Sequence, residues 1–198
     1  MKNKVLMGLA AIAMVAVLSG CGKKPQVEID ATNAAIEAAK TAEAAVYVPA
    51  EFAAVQDSMN AINADIAAQE SRLFKKFGAA KVKLAETLTL ANQVAANATV
   101  KKDEVKKEVE TLMTEIKAVI EENTALMKKA PRGKEGAAVL EQIKTEMATI
   151  EASVVEAQGM YDKGAFMDAL NKVKAAKERA VGINTELKDA IAKVKARK

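Results

Sequence analysis

Residues suited to a helix interface recur at alternating steps of four and three over a long central stretch of the chain. The positions are Leu84, Leu88, Ala91, Ala95, Ala98, Lys102, Val105, Val109, Leu112, Ile116, Val119, Asn123 and Leu126. This spacing is typical of a coiled-coil seam. It predicts one continuous helix from about Gly78 to Lys129, spanning roughly 75 Å at 1.5 Å per residue. We therefore expect an all-α fold of elongated antiparallel hairpins, a coiled-coil-like bundle with one long central helix.

Two members of this seam are polar. A polar group at a seam position costs stability and can fix the register or the number of partner helices. Asn123 and Lys102 are candidates for that role. For Lys102 there is an equal alternative, in which the side chain reaches out to solvent at a local kink in residues 97–101.

A second regularity suggests an internal repeat. Seven heptad positions between Phe52 and Leu73 reappear 88 residues later, and five positions between Phe77 and Val94 reappear 89 residues later. A duplicated helical hairpin explains these offsets, and so does a heptad pattern that both segments share. The six aromatic residues stand beside predicted turns, where we expect their rings to fill the bundle ends.

The composition argues against chemical activity. Alanine accounts for 42 of the 198 residues, which favours closely packed helices, and the chain has no His. Without imidazole, the commonest acid–base group and metal ligand is missing. The acidic residues are spread along the helices, so the sequence predicts no enzyme, no catalytic residue, no cofactor and no metal site.

The N-terminus has the pattern of a secretory signal. Two lysines in Met1–Lys4 precede an apolar run of 14 residues, Val5–Leu18. This run is shorter than the roughly 20 residues that a membrane-spanning helix needs. It fits the hydrophobic region of a signal peptide that is removed after export.

The tetrad Leu18-Ser19-Gly20-Cys21, which contains the only Cys of the chain, follows this run. It resembles the lipobox of bacterial lipoproteins. That resemblance implies diacylglyceryl transfer to Cys21, cleavage between Gly20 and Cys21, and acylation of the new N-terminus. The alternative is an ordinary secreted protein whose signal ends in Cys. An Asp next to the Cys, which many lipoproteins use for inner-membrane retention, is absent, so the resemblance implies the outer membrane, facing the periplasm.

The expected organisation follows from these signals. Residues 1–20 are predicted to be a signal peptide and residues 21–29 a lipidated tether. Residues 30–130 are predicted to form a helical hairpin with the long central helix, and residues 131–198 the second hairpin half. Asp30 is expected to cap the first helix, which runs to about Val46.

Two family resemblances refine this interpretation. An alanine-rich helix ending in Tyr47-x-Pro49, a heptad helix, and then Lys-Phe-x-x-Ala-x-x-x-Leu-Ala at residues 76–85 resemble a family of helical bacterial lipoproteins with a domain of unknown function. The resemblance covers residues 31–102 and implies a periplasm-facing hairpin without a cofactor.

The overall plan is also similar to that of Braun's murein lipoprotein, with an acylated Cys first, a heptad helix between, and Arg197-Lys198 last. In that family the terminal lysine is joined to peptidoglycan, which implies Lys198 as the candidate attachment residue. The chain departs from the family because it is much longer, folds back on itself, and has Ala196 where the family has Tyr.

The charge distribution bears on partners. The formal net charge is only +4 and aromatic residues are few, which disfavours nucleic acid. The segment Lys172–Lys198 nevertheless holds nine basic and three acidic residues. It is either a solvated helix face or a contact with anionic lipid or cell-wall polymer.

Together these features predict a lipid-anchored envelope protein with a structural, spacer or scaffold role. Its expected partners are the membrane, through acyl chains on Cys21, and an envelope protein or peptidoglycan. The alternatives are a peptide- or protein-binding helical-repeat module and a covalent tether through Lys198. A binding groove would expose a second apolar stripe. Leu90 and Val94, which lie beside the seam of the long helix, slightly favour such a wider apolar face.

Overall fold

The computed structural model describes residues 22–131 and 134–196, and within these ranges the secondary structure consists of six helices and turns. The helices are α1 (Gln26–Thr41), α2 (Ala44–Tyr47), α3 (Pro49–Glu70), α4 (Gly78–Lys129), α5 (Lys134–Asp162) and α6 (Phe166–Lys195). The predicted all-α class is confirmed. The long central helix has the bounds that the heptad spacing predicted, and it is continuous through residues 97–102.

The first helix begins earlier than the sequence pattern suggested. Pro25, not Asp30, is its N-cap residue, and residues 26–29 of the predicted tether form its first turn. Asp30 instead accepts a hydrogen bond from the Gln26 side chain at 2.8 Å, one helical turn away. Asp30 is thus the fifth residue of α1, and the prediction that it caps this helix was wrong.

The same helix also ends earlier than expected. Glu43 adopts a left-handed conformation with φ 59°, which separates α1 from the short helix α2. The sequence had suggested one helix to about Val46. A residue other than glycine adopts this conformation uncommonly, so the sequence carries no simple signal for this break.

Two three-helix bundles share α4. Along its first half, α1 runs parallel to it and α3 runs antiparallel. The contacts that set these directions are Glu28–Lys81 (3.0 Å), Glu43–Lys102, Asp65–Lys83 (2.6 Å) and Glu51–Asn97 (2.8 Å). Along its second half, α5 runs antiparallel and α6 parallel. The corresponding contacts are Tyr161–Glu110 and Met147–Asn123 (3.6 Å) for α5, and Lys174–Glu108 (2.6 Å) and Lys188–Glu122 (2.9 Å) for α6.

The sequence offsets relate equivalent core positions of the two bundles. Four buried residues of α3 match four of α5 at the offset of 88, namely Val55, Met59, Ile62 and Ile66 with Ile143, Met147, Ile150 and Val154. Six buried residues of α4 match six of α6 at the offset of 89, namely Ala80, Leu84, Thr87, Ala91, Val94 and Ala98 with Ala169, Val173, Ala176, Ala180, Ile183 and Leu187. Each bundle is completed by a third helix that comes before these two in the chain. This third helix is α1 in the first bundle and the second half of α4 in the second bundle.

The central seam is wider than a two-stranded coiled coil requires. Seven of the thirteen predicted positions are buried, and the others are half-buried. Thr87, Val94 and Met113, which lie beside the predicted seam, are buried as well. The reason is that α4 packs against two helices at each level, so its buried face must be broader than one stripe.

Candidate attachment ends and the junction between the bundles

The predicted site residues Gly20, Cys21 and Lys198 lie outside the described residues. The described residues nearest to them are Gly22 and Ala196. Their positions define the two ends of the molecule that an anchor at Cys21 and an attachment at Lys198 would use.

The N-terminal end lies beside the turn between α3 and α4. The Lys24 ammonium is 3.3 Å from the Glu70 carboxylate at the end of α3, and Pro25 is buried. The Lys81 ammonium is 3.0 Å from Glu28 and lowers the pKa of that carboxyl through a hydrogen bond. The chain therefore enters the first bundle at the level where α4 begins.

The C-terminal end lies at the opposite end of α4. Lys188 on α6 is 2.9 Å from Glu122 on α4, and α6 continues for two more turns in the same direction as α4. With 52 residues at 1.5 Å per residue, α4 is about 78 Å long. Gly22 and Ala196 are thus separated by roughly the length of that helix.

The basic surplus of the C-terminal segment is largely matched by its neighbours. Four lysines of α6 form ion pairs with acidic residues of α4 and α5, namely Lys172–Glu156, Lys174–Glu108, Lys177–Glu115 and Lys188–Glu122. The hydrogen bond from Lys188 lowers the pKa of Glu122. This pairing favours a solvated helix face for the segment, because the local excess of charge is offset within the fold.

Lys102 occupies the junction between the two bundles. Its ammonium forms an ion pair with Glu43 and lies 5.8 Å from the ring centroid of Tyr47 and 5.9 Å from that of Phe166. The hydrogen bond with Glu43 raises the pKa of Lys102. The helix is continuous through this level. Its side chain extends from the helix to a carboxylate and to two aromatic rings, one on α2 and one on α6.

Asn123 is the buried polar member of the seam. Its side-chain amide donates to the Ala180 carbonyl oxygen at 2.7 Å and lies 3.6 Å from the Met147 sulfur. The amide of Asn184 donates to the side-chain oxygen of Asn123 at 2.8 Å. These contacts join α4 to a fixed level of α6, which is how a polar residue specifies the register of packed helices.

The turn between α5 and α6 is covered by aromatic rings. The rings of Tyr161 and Phe166 lie 5.1 Å apart, and the Tyr161 hydroxyl donates to the Glu110 carboxylate. That hydrogen bond, with a smaller contribution from burial, raises the pKa of Tyr161 to about 12. The turn is thereby tied to the middle of α4.

The turn between α3 and α4 is different. Phe77 is buried in the first bundle, as expected of an aromatic residue at a bundle end, but Leu73 and Phe74 are exposed to solvent. The expectation that every aromatic ring fills a bundle end was therefore wrong for Phe74. The heptad spacing also predicted Leu73 as the last interface position of α3, and this was wrong because the helix ends at Glu70, three residues earlier.

The described surface has two partly open clefts. A shallow cleft of about 380 Å³ lies between the end of α4 and the start of α5, with Met127 and Leu140 among its lining residues. A second cleft, of about 370 Å³, has Ile150 and Arg179 among its lining residues.

Within residues 22–131 and 134–196, no cluster of three acidic or thiol side chains is placed to hold a metal ion. In the same part of the chain, no helix has both the length and the apolarity to cross a membrane.

The outward faces of α4 do not form a second apolar stripe. Val94, one of the two residues that could have widened such a stripe, is fully buried, and Leu90 is 37% exposed. Val82 and Val100 are exposed but stand apart from one another along the helix. Isolated apolar residues of this kind are ordinary on protein surfaces.

No family model, no curated protein and no solved structure matches this chain.

Proposed function

We propose that this chain is a lipid-anchored spacer or scaffold of the bacterial cell envelope, acylated at Cys21 and held in the outer membrane with its helices facing the periplasm. The observation that carries this proposal is the Leu-Ser-Gly-Cys tetrad directly after a 14-residue apolar run. Two or more acyl chains on Cys21 would give stable anchoring, since each buried CH₂ contributes about 0.8 kcal/mol.

The fold supports a spacer rather than a groove-forming binding module. The two ends of the described chain lie near opposite ends of α4, which is one uninterrupted helix about 78 Å long. The buried faces of α4 are occupied by its own partner helices, and its exposed apolar residues do not form a stripe. A peptide-binding module would need such a stripe to receive its ligand.

Replacing Cys21 with Ala tests the anchor. The variant should move from the membrane fraction to the soluble fraction, because the thiol that accepts the lipid is gone. Ser19→Ala is the matched control, since it keeps a small residue at the neighbouring position and should leave the protein in the membrane. Retention of Cys21→Ala in the membrane fraction would contradict the proposal.

A covalent tether to peptidoglycan through Lys198 is a second candidate. It is favoured by the position of Ala196, at the end of the bundle far from Gly22. Sacculi boiled in detergent and digested with a muramidase should release the protein attached to wall fragments. Deletion of Lys198 and Lys198→Arg should both abolish that retention, because neither leaves a terminal lysine amine. Retention of Lys198→Arg would indicate charge attraction instead, and complete release of the wild type would exclude the tether.

A further inference from the structure

The three most exposed large apolar side chains of the described chain all lie at the end of the molecule where α4 begins. Leu73 is 91% exposed, Phe74 is 79% exposed, and Val27 in the first turn of α1 is 74% exposed. The ion pair between Lys24 and Glu70 holds the start of the described chain beside the α3–α4 turn, which contains Leu73 and Phe74. We refer to residues 71–76 of this turn as the tip.

The tip has a defined local structure. The Ser71 hydroxyl donates to the Ala68 carbonyl at 2.9 Å, and the backbone N–H of Lys76 donates to the Gln69 side chain at 3.3 Å. One residue after the tip, Phe77 is 2% exposed and packs in the core. The outward position of Leu73 and Phe74 therefore belongs to a turn whose two ends are fixed.

Basic residues surround the apolar pair. Arg72, Lys75 and Lys76 are exposed, and none of them lies within ion-pair distance of an acidic group in the described chain. Residues 22–25 and 70–77, which together form this end, hold five basic residues and one acidic residue, namely Lys23, Lys24, Arg72, Lys75 and Lys76 against Glu70. Exposed apolar side chains ringed by Lys and Arg match the interface of an anionic bilayer, where the rings enter the acyl boundary and the ammonium groups face the headgroups.

The hairpin fold itself does not require this arrangement. The equivalent turn of the second bundle, between α5 and α6, keeps its aromatic residues half-buried, with Tyr161 bonded to Glu110 and Phe166 beneath Lys102. A turn of the same kind is thus possible without an exposed apolar pair.

The position of the tip relates it to one particular bilayer. Cys21 is three residues from Lys24, so an extended chain places it at most about 11 Å away. Resting on the proposed anchor, we propose that the tip inserts Leu73 and Phe74 into the anionic interface of the bilayer that holds the acyl chains of Cys21. The first bundle would then contact the membrane in two places, through the acyl chains of Cys21 and through the tip, and α4 would project away from the surface.

Tryptophan fluorescence can test this insertion, because the chain has no Trp. The full-length acylated protein with Phe74→Trp would be reconstituted into vesicles of phosphatidylethanolamine and phosphatidylglycerol with brominated acyl chains. We expect the emission of this Trp to shift to shorter wavelength and to be quenched by the brominated chains. Val139→Trp, at a position 53% exposed near the far end, is the matched control and should be neither shifted nor quenched.

The outcomes separate this inference from the anchor. Co-sedimentation with vesicles reports the anchor, and quenching reports the tip. Quenching at Phe74→Trp that weakens when Lys75→Glu and Lys76→Glu are added supports insertion among anionic headgroups. An unquenched Trp on a chain that co-sediments overturns the inference alone, and a chain that does not co-sediment overturns both. A blue shift without bromine quenching would mean that another protein surface, such as a second copy, covers the tip, which also overturns the inference.

Discussion

Asn123→Ala should destabilise the fold by an amount that the buried contacts set. The substitution removes the bond to the Ala180 carbonyl and the bond from Asn184. Each is worth about 1 kcal/mol net, so about 2 kcal/mol is lost. The cavity left by the missing amide, at a position with 0% exposure, adds about 1–2 kcal/mol. The expected loss in the free energy of unfolding is therefore about 3–4 kcal/mol.

A double-mutant cycle isolates the direct bond between the two asparagines. The free energy of unfolding would be measured by urea denaturation, followed by far-ultraviolet circular dichroism, for the wild type, Asn123→Ala, Asn184→Ala and the double variant. Because the side chains are hydrogen-bonded, we expect a coupling energy of about 1 kcal/mol. A coupling energy near zero, or a single variant Asn123→Ala as stable as the wild type, would refute the argument.

The pair also allows stability to be separated from register. Replacing both asparagines with Leu removes donor and acceptor together, which avoids leaving one of them unsatisfied. We expect this variant to be at least as stable as the wild type but to lose the bond that fixes α4 against α6. Light scattering should then detect additional oligomeric species. A single monodisperse species with an unchanged dependence on urea would show that the asparagines do not specify register.

Two further predictions concern the second bundle. Ile116 has 0% exposure, so Ile116→Asp places a carboxylate in the core and should lower the melting temperature. The control Ile116→Val, which costs about 0.5–1.5 kcal/mol, should lower it far less. Equal melting temperatures for the two variants would contradict the packing of this residue. Because the pKa of Tyr161 is raised to about 12 from 10.0, its hydrogen bond to Glu110 contributes stability below about pH 10 that is lost as the pH rises to about 12. In Tyr47→Phe, which leaves one tyrosine, phenolate absorbance should therefore appear near pH 12, and Glu110→Gln should move it toward pH 10; an unchanged midpoint would exclude Glu110 as the cause.

Much of the fold could be predicted from residue spacing. The 4 and 3 alternation located the long helix correctly because a helix that packs along its whole length must present an apolar residue at each turn. The same periodicity could not show how many helices share that face. Val94 illustrates the limit, since it lies beside the predicted seam and is fully buried only because α1 and α3 pack together against α4.

The contacts and exposure of the candidate site residues could be predicted less well from residue spacing. Lys102 is visible in the sequence as a charged residue in the seam, but its partners Glu43 and Phe166 lie 59 and 64 residues away and no local pattern pairs them. The exposure of Phe74 cannot be deduced from the sequence for a related reason, because an aromatic residue beside a turn is equally consistent with a filled bundle end and with an outward tip. Only the neighbouring Phe77, which takes the core position, decides between the two.

The parallel packing of α1 and α6 on α4 determines how the molecule would resist tension. A load applied between the two chain ends pulls α1 toward one end and α6 toward the other, with α4 between them. Both helices would have to slide along α4, so their lateral contacts would break together rather than one turn at a time. The hydrogen bonds from Thr32 to the Leu84 carbonyl and from Asn123 to the Ala180 carbonyl cross these two sliding surfaces, one on each. These buried bonds thus lie where a shear load would be borne.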